Sequence, residues 1–167
     1  MRTYIVIGSN SAPQVHLPAG AADLVGRAGV QILACSSVYA SEDVTGVAAY
    51  WNAALALETS LDLFSLRDLL KQVEDGQGRL RVDSDGHKSK IVSFDADIVL
   101  YGDLVRHEKP RLPHPDLRRF AHVVFPVLEI APDLRLPDDN GLLSALSENL
   151  NKALLKRLDS FKLFRKL

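Results

Sequence analysis

The lengths of the connections between apolar runs constrain this chain most. Residues 4–7, 30–39, 50–59 and 92–101 are short runs rich in apolar and β-branched side chains. The first closes on Gly8-Ser9-Asn10, a turn signal, so each run reads as a strand. Strand-like and helix-like stretches alternate irregularly, and several links are too short to serve as parallel crossovers. The expected fold is α+β, a mostly antiparallel sheet flanked by helices.

Two helices are expected between these runs. The first begins near Pro18, suited to a first helical turn, and ends by Arg27 with Gly29 just beyond. The second is capped by Asp62, carries Leu66, Leu69, Leu70 and Val73 as an apolar stripe, and stops at Gly76 and Gly78. From Gly141 onward, Leu142, Leu146, Leu150, Leu154, Leu158 and Phe161 recur every three or four residues. That spacing predicts a long C-terminal helix over about 141–165, whose basic side (Lys152, Lys156, Arg157, Lys162) reads as a solvated face. No repeat or composition break divides residues 1–167, so one domain is expected.

With 20 basic and 21 acidic residues the formal net charge is −1, so no global field draws the chain to nucleic acid or to a membrane. Any anion site must be built locally. The lone Cys35 lies in an apolar stretch and reads as a buried structural thiol. The first apolar run is too short for a signal peptide or a membrane span, so a cytoplasmic protein is expected.

Chemistry concentrates in a few places. Asp95-Ala96-Asp97 lies on an expected strand, where residues two apart share a face, so both carboxylates project together, opposite Phe94, Ala96 and Ile98. Two hard oxygen ligands suit Mg²⁺ when substrate phosphates and water complete its shell, although a solvent-facing acid pair has the same pattern. Upstream, residues 79–90 form a polar, basic stretch expected to be a mobile loop. Its Arg79 and Arg81 could clamp phosphate oxygens, with Lys88 and Lys90 as point charges. His114 is held between Pro113 and Pro115. Tyr50 and Asn52, two apart on a strand, could stack on and hydrogen-bond to a flat heterocycle.

Taken in order, these segments resemble the hydroxymethyldihydropterin pyrophosphokinase family. The matching runs are Tyr4-Ile5-Val6-Ile7-Gly8-Ser9-Asn10, Ser36-Ser37-Val38-Tyr39, Tyr50-Trp51-Asn52, Gly78-Arg79-Leu80-Arg81, Asp95-Ala96-Asp97-Ile98, Leu112-Pro113-His114 and Pro126-Val127-Leu128-Glu129-Ile130-Ala131-Pro132. The resemblance implies a ferredoxin-like domain that passes pyrophosphate from ATP to a pterin alcohol in folate biosynthesis, releasing AMP. It implies two Mg²⁺ ions on Asp95 and Asp97, with Arg79 also catalytic. ATP would lie near Glu74, Arg79, Arg81, Lys88, Lys90, His114 and Arg119, and the pterin near Ser41, Tyr50, Asn52 and His122. Only these small-molecule partners are expected, with the protein a monomer.

The departures from the family pattern are local. The family loop carries a tryptophan and then Pro-Arg before the acid pair, where this chain reads Gly86-His87-Lys88-Ser89-Lys90-Ile91-Val92. The family's arginine and pterin-stacking phenylalanine after the histidine align with Phe120 and His122. Ser41-Glu42-Asp43-Val44-Thr45-Gly46 replaces a Thr-Pro-Pro-like run. Two functions remain open at this point: an active pyrophosphokinase, or a catalytically impaired paralogue that binds nucleotide or pterin or serves in assembly.

Overall fold

The computed structural model of the chain describes residues 1–41, 49–82, 84–87 and 89–164. Among these, the element order is β1 (Arg2–Ser9), α1 (Pro13–Val25), β2 (Val30–Cys35), β3 (Tyr39–Ser41), β4 (Trp51–Thr59), α2 (Leu63–Gly76), β5 (Asp95–Tyr101), α3 (Ala121–Ile130), α4 (Leu143–Ser147) and β6 (Leu155–Arg157). Short 3-10 turns lie at Pro115–Arg118 and Lys152–Leu154. The strands form one sheet in the order β5-β1-β4-β3-β6, with β2 also paired to β4, and every pairing is antiparallel. The chain is thus α+β, as the short connections require. None of its described helices is long and apolar enough to cross a membrane.

Alternation along the strands splits the core in two. Ile5, Ile7, Ala53, Leu55, Leu57, Ala96 and Ile98 face α1 and α2, meeting Leu17, Leu24, Leu66, Leu70 and Val73. Val6, Ala54 and Val99 face α3 and α4, meeting Val123, Val124, Val127 and Leu143. Burying each such large side chain contributes about 1.5–3 kcal/mol, so both layers hold the sheet. At the start of α2, the Asp62 carboxylate accepts hydrogen bonds from the Phe64 and Ser65 amides at 2.9 and 3.0 Å.

Four expectations change. Helix α1 starts at Pro13, not Pro18, so Pro18 lies inside it; there the missing N–H removes only the bond to the Gln14 carbonyl. The run 30–39 is broken between β2 and β3. The Ser36 amide donates to the Ala54 carbonyl (2.9 Å), while the Ala54 amide donates to Ser36 Oγ (2.8 Å), so one edge of β4 serves two strands in succession. β5 begins at Asp95 rather than Val92, because residues 90–92 are bonded to the end of β1 through side chains.

The fourth is the long helix over 141–165, which does not form. Helix α4 stops at Ser147; Asn151 then accepts a bond from the Ala153 amide and starts a new turn. Residues 155–157 instead complete the open edge of β3, with Ser41 opposite Leu155 and Tyr39 opposite Arg157. An unpaired strand edge offers a row of backbone partners that outweighs the leucine periodicity. Phe161 then packs edge-on against Trp51, ring centres 5.2 Å apart.

The fully buried Phe94 sits directly before Asp95 and against Gly20 of α1, where an added Cβ would lie within 2.6 Å of three of its ring atoms. Gly20→Ala should therefore overpack this contact and destabilise the protein by about 1–3 kcal/mol, read as a lower midpoint in thermal unfolding.

Candidate active site

β1 carries the site across three strands. Gly8 is paired with Asn52 of β4 on one side and Asp95 of β5 on the other, and Val6 with Ala54 and Asp97. Paired residues share a face, so Asn52, Asp95 and Asp97 all project on the α3 side, beyond the end of that apolar layer. Gly8 is needed there: a Cβ would fall 2.5 Å from Tyr50 Cε1 and 2.8 Å from Asn52 Oδ1.

Two cavities adjoin this row. One of about 270 Å³ lies over the α3 face, lined by Gly8, Tyr50, Asn52, Asp95, Asp97, His114, Asp116 and His122 with Val6, Val99 and Val123. The other, about 490 Å³, lies where β5 ends the sheet, between α2 (Arg67, Leu70, Lys71, Glu74), β5 (Ala96, Asp97, Ile98) and the stretch Lys109, Pro110, Arg111, His114, Pro115. Asp97 and His114 line both. His114 is held beside β5 by its amide, which donates to the Val99 carbonyl at 2.9 Å. Its Nδ1 accepts from the Asp116 amide at 3.3 Å, which leaves Nε2 to carry the proton of a neutral ring.

Of the residues singled out from the sequence, Tyr50, Asn52, His122, Asp95, Asp97 and His114 meet at the smaller cavity, and Glu74 lines the larger. The Arg79 side chain is 8% exposed; it donates to the Leu80 and Ile91 carbonyls (2.7 and 3.1 Å), and its Nε lies 3.9 Å from Asp95 Oδ1. Arg81 is bonded to Glu74 Oε2 at 2.8 Å and to Asp75. Ser41 points its hydroxyl at the Tyr50 carbonyl (3.1 Å) and lies outside both linings. Lys90 and Arg119 are exposed and also lie outside them. Lys88, like the acidic run at 42–48, falls outside the described residues.

The sequence reading passed over Arg67, Lys71, Lys109 and Arg111, the cations of the larger cavity, and Asp116. The helical positions 67, 71 and 74 fall on one side of α2, a signal that was present. The contribution of the 109–111 stretch depends on a chain reversal in which Arg106 and Leu112 exchange backbone bonds, which no local pattern announces.

Burial sets the charge states. The Glu74 carboxyl is pushed up, first by burial and then by Asp95, against the pull of the Ala96 amide and Arg81. The Tyr50 hydroxyl is raised by burial and by Asp95, so it stays protonated. Burial holds the His122 imidazole below its usual range, opposed only by Asp116. His122 is therefore a neutral ring near pH 7, stacked on Phe120 with centres 5.2 Å apart and planes 17° from parallel.

The donor set fits magnesium carried in with phosphate. Both Glu74 oxygens already serve Ala96 and Arg81, at 3.2 and 2.8 Å; Asp95, Asp97 and Asp116 bring carboxylates to the smaller cavity, and Asp97 lines the larger one as well. Among the described residues no group of three or more His, Cys, Asp or Glu could form a cage alone. Mg²⁺ commonly takes one or two carboxylates and fills its octahedron with water and substrate phosphates.

Comparison with known proteins gives consistent matches. Residues 4–132 match the family model of 7,8-dihydro-6-hydroxymethylpterin-pyrophosphokinase (HPPK). A 2-amino-4-hydroxy-6-hydroxymethyldihydropteridine pyrophosphokinase from Haemophilus influenzae is 30% identical over 157 residues, covering 92% of this chain and 96% of the relative. One from Pseudomonas aeruginosa is 34% identical over 146 residues, covering 84% of this chain and 87% of that one. Among solved structures, wild-type HPPK-DHPS of Plasmodium falciparum with pterin and p-hydroxybenzoate superposes with a TM-score of 0.69 at 13% identity, a likeness of fold. It covers 93% of this chain, which spans just under half, 46%, of that longer one.

The raised Glu74 carboxyl yields a stability prediction with a definite sign. A carboxyl whose folded pKa lies above its unfolded value favours the fold while protonated and loses that contribution as pH rises through the folded pKa. Glu74→Gln keeps an acceptor for the Ala96 amide and removes the buried charge. The variant should melt higher than the wild type at neutral pH, and the gap should close as the buffer is acidified into the carboxylate range.

Proposed function

Because the chain belongs to the 7,8-dihydro-6-hydroxymethylpterin-pyrophosphokinase family, we propose that it transfers pyrophosphate from ATP to the hydroxyl of 6-hydroxymethyl-7,8-dihydropterin, releasing AMP, as a step in folate biosynthesis. The observation that carries this reading is the meeting of two cavities at Asp97 and His114. One has the flat-ring surroundings a pterin needs; the other is larger and rimmed by Arg67, Lys71, Lys109 and Arg111, suited to a nucleotide and its phosphates.

In this reading the pterin lies between Tyr50 and His122. The Asn52 amide, 4% exposed at the cavity wall, reads its edge. The neutral state of His122 suits stacking on an uncharged ring. ATP occupies the larger cavity, its β-phosphate reaching toward Asp97 and His114. The pterin hydroxyl oxygen attacks the β-phosphorus, the bond from that phosphorus to the α-bridging oxygen breaks, and AMP departs with that oxygen. The hydroxyl proton passes to solvent water as the new ester bond forms, and no covalent enzyme intermediate is needed.

Asp95 and Asp97 would hold Mg²⁺, which when bound neutralises triphosphate charge and polarises the phosphoryl group under attack. Arg79, beside Asp95 but outside both linings, would take phosphate oxygens, and His114 would offer its Nε2–H. Arg81 reaches phosphate only by leaving Glu74 and Asp75. Lys88 and Lys90 would supply further charge from the loop and Arg119 from the far side, while Ser41 supports the Tyr50 backbone. Catalysis then rests on positioning and charge neutralisation.

The test is AMP release from ATP, Mg²⁺ and 6-hydroxymethyl-7,8-dihydropterin, followed by chromatography. Wild type should turn over, and Asp95→Asn or Asp97→Asn should slow it about a hundredfold or more while leaving the fold unchanged by circular dichroism. Nucleotide binding with no AMP from the wild type would replace this reading with that of a binding paralogue. Within the pterin site, His122→Ala should raise KM for the pterin about three- to tenfold and His122→Phe should not, because stacking is what the ring contributes.

A further inference from the structure

Just past Gly8, the end of β1 grips the segment that leads into β5. Asn10 Oδ1 accepts from the Val92 amide at 2.7 Å, and its Nδ2 donates to the Lys90 carbonyl at 2.8 Å. The side chain thus acts as an extra peptide group and extends the β1–β5 pairing past the last ladder pair, Gly8 with Asp95. The Val92 carbonyl in turn receives Ser9 Oγ (3.1 Å) and the amides of Asn10 (3.0 Å) and Ser11 (3.2 Å).

Between the two residues Asn10 holds, the Ile91 carbonyl accepts from Arg79 Nη1 at 3.1 Å. The Ile91 side chain is itself 63% exposed, so packing at that position does little to fix the carbonyl. Two polar contacts fix it instead: the clamp from β1 on residues 90 and 92, and the buried Ser89, whose Oγ donates to the Ile91 carbonyl (3.0 Å) and accepts from the Ile91 amide (3.2 Å). The guanidinium steadied on that carbonyl lies beside Asp95, four residues further along the same segment.

We propose that Asn10 is a positioning residue for the transfer reaction: by clamping residues 90–92 it sets the Ile91 carbonyl, and through it the Arg79 guanidinium, against Asp95. This rests on the pyrophosphokinase reading and adds to it a residue that touches neither cavity. Misplacing a charge-bearing group by about an ångström costs rate far more than it costs ground-state binding, so the loss should fall on kcat.

Three variants test this. Asn10→Ala removes both bonds; Asn10→Asp keeps an acceptor for the Val92 amide and loses the donor to Lys90. Thr59→Ala is the control for destabilisation alone, since Thr59 Oγ1 donates to the Gly29 carbonyl (2.7 Å) at the opposite end of β4 from Asn52. Asn10→Ala should exchange its Val92 amide faster than the amides of β4. It should also lower kcat about tenfold with KM for ATP within about twofold, and bind Mn²⁺ more weakly in the presence of α,β-methylene-ATP, read by electron paramagnetic resonance. Asn10→Asp should fall between it and wild type, and Thr59→Ala should lower the melting temperature without lowering kcat. The proposal is overturned if Asn10→Ala leaves kcat and Mn²⁺ binding unchanged, or if Thr59→Ala lowers kcat as much at equal loss of stability. A wild type that releases no AMP would sink the pyrophosphokinase reading alone. Val92 exchange and Mn²⁺ binding, which need no turnover, would still decide whether Asn10 positions the Arg79–Asp95 pair.

Discussion

Gly8 is paired to Asn52 on one side and to Asp95 on the other, and the Tyr50 ring lies over the space its missing side chain leaves. That crossing point determines what the site can be. An amide and an aromatic ring from one part of the chain and a carboxylate from another come within reach because the middle strand carries nothing there. Two rows of ladder pairing, at Gly8 and at Val6, then set how far Asp95 and Asp97 stand from Asn52. Rigid strands hold such distances better than loops do, which is what a site working by placement requires.

The position of β5 at the end of the sheet is the second constraint. A central strand would be covered on both sides, whereas this one leaves its outer side to α2 and the 109–115 stretch, with a cavity between them. Asp97 can therefore line a cavity on the sheet face and another beyond the edge. The charges there follow from the near-neutral composition. Arg67, Lys71, Lys109 and Arg111 gather locally in a chain whose formal net charge is −1. Arg79 donates to the Leu80 and Ile91 carbonyls, and Arg81 is paired with Glu74 and Asp75. A triphosphate that recruits Arg81 has to win it from these two carboxylates, which favours a ligand of high charge density.

Different parts of the fold were legible to different degrees. Apolar runs located β1, β2, β4 and β5, the inner strands being apolar on both faces because a layer covers each, and periodicity located α2, which buries a single stripe. Periodicity misplaced residues 141–165, whose leucines are spaced for a helix but whose backbone is taken up at 155–157 by the open edge of β3. Strand β5 was likewise extended back to Val92, whose segment is held by Ser9 and Asn10 at the end of the neighbouring β1, more than eighty residues away in sequence. At the site, residues within one segment were paired readily, as with Asp95 and Asp97 or Tyr50 and Asn52. Arg119 and Ser41 were placed by alignment to a pattern, and the structure sets Arg119 in the open and turns Ser41 onto a backbone carbonyl.

From its residues alone the chain determined its layer architecture and the location of its acid pair. Those properties depend on burial and on neighbours within a strand or a helical turn, and a linear pattern records both. Only the tertiary structure decided that Asn52, Gly8 and Asp95 share a row, that Asp97 and His114 belong to two cavities at once, and that Arg79 rests on Ile91. These contacts join residues a dozen or more positions apart, and their distances come from strand order and register, which many local patterns could satisfy and which the packed core settles.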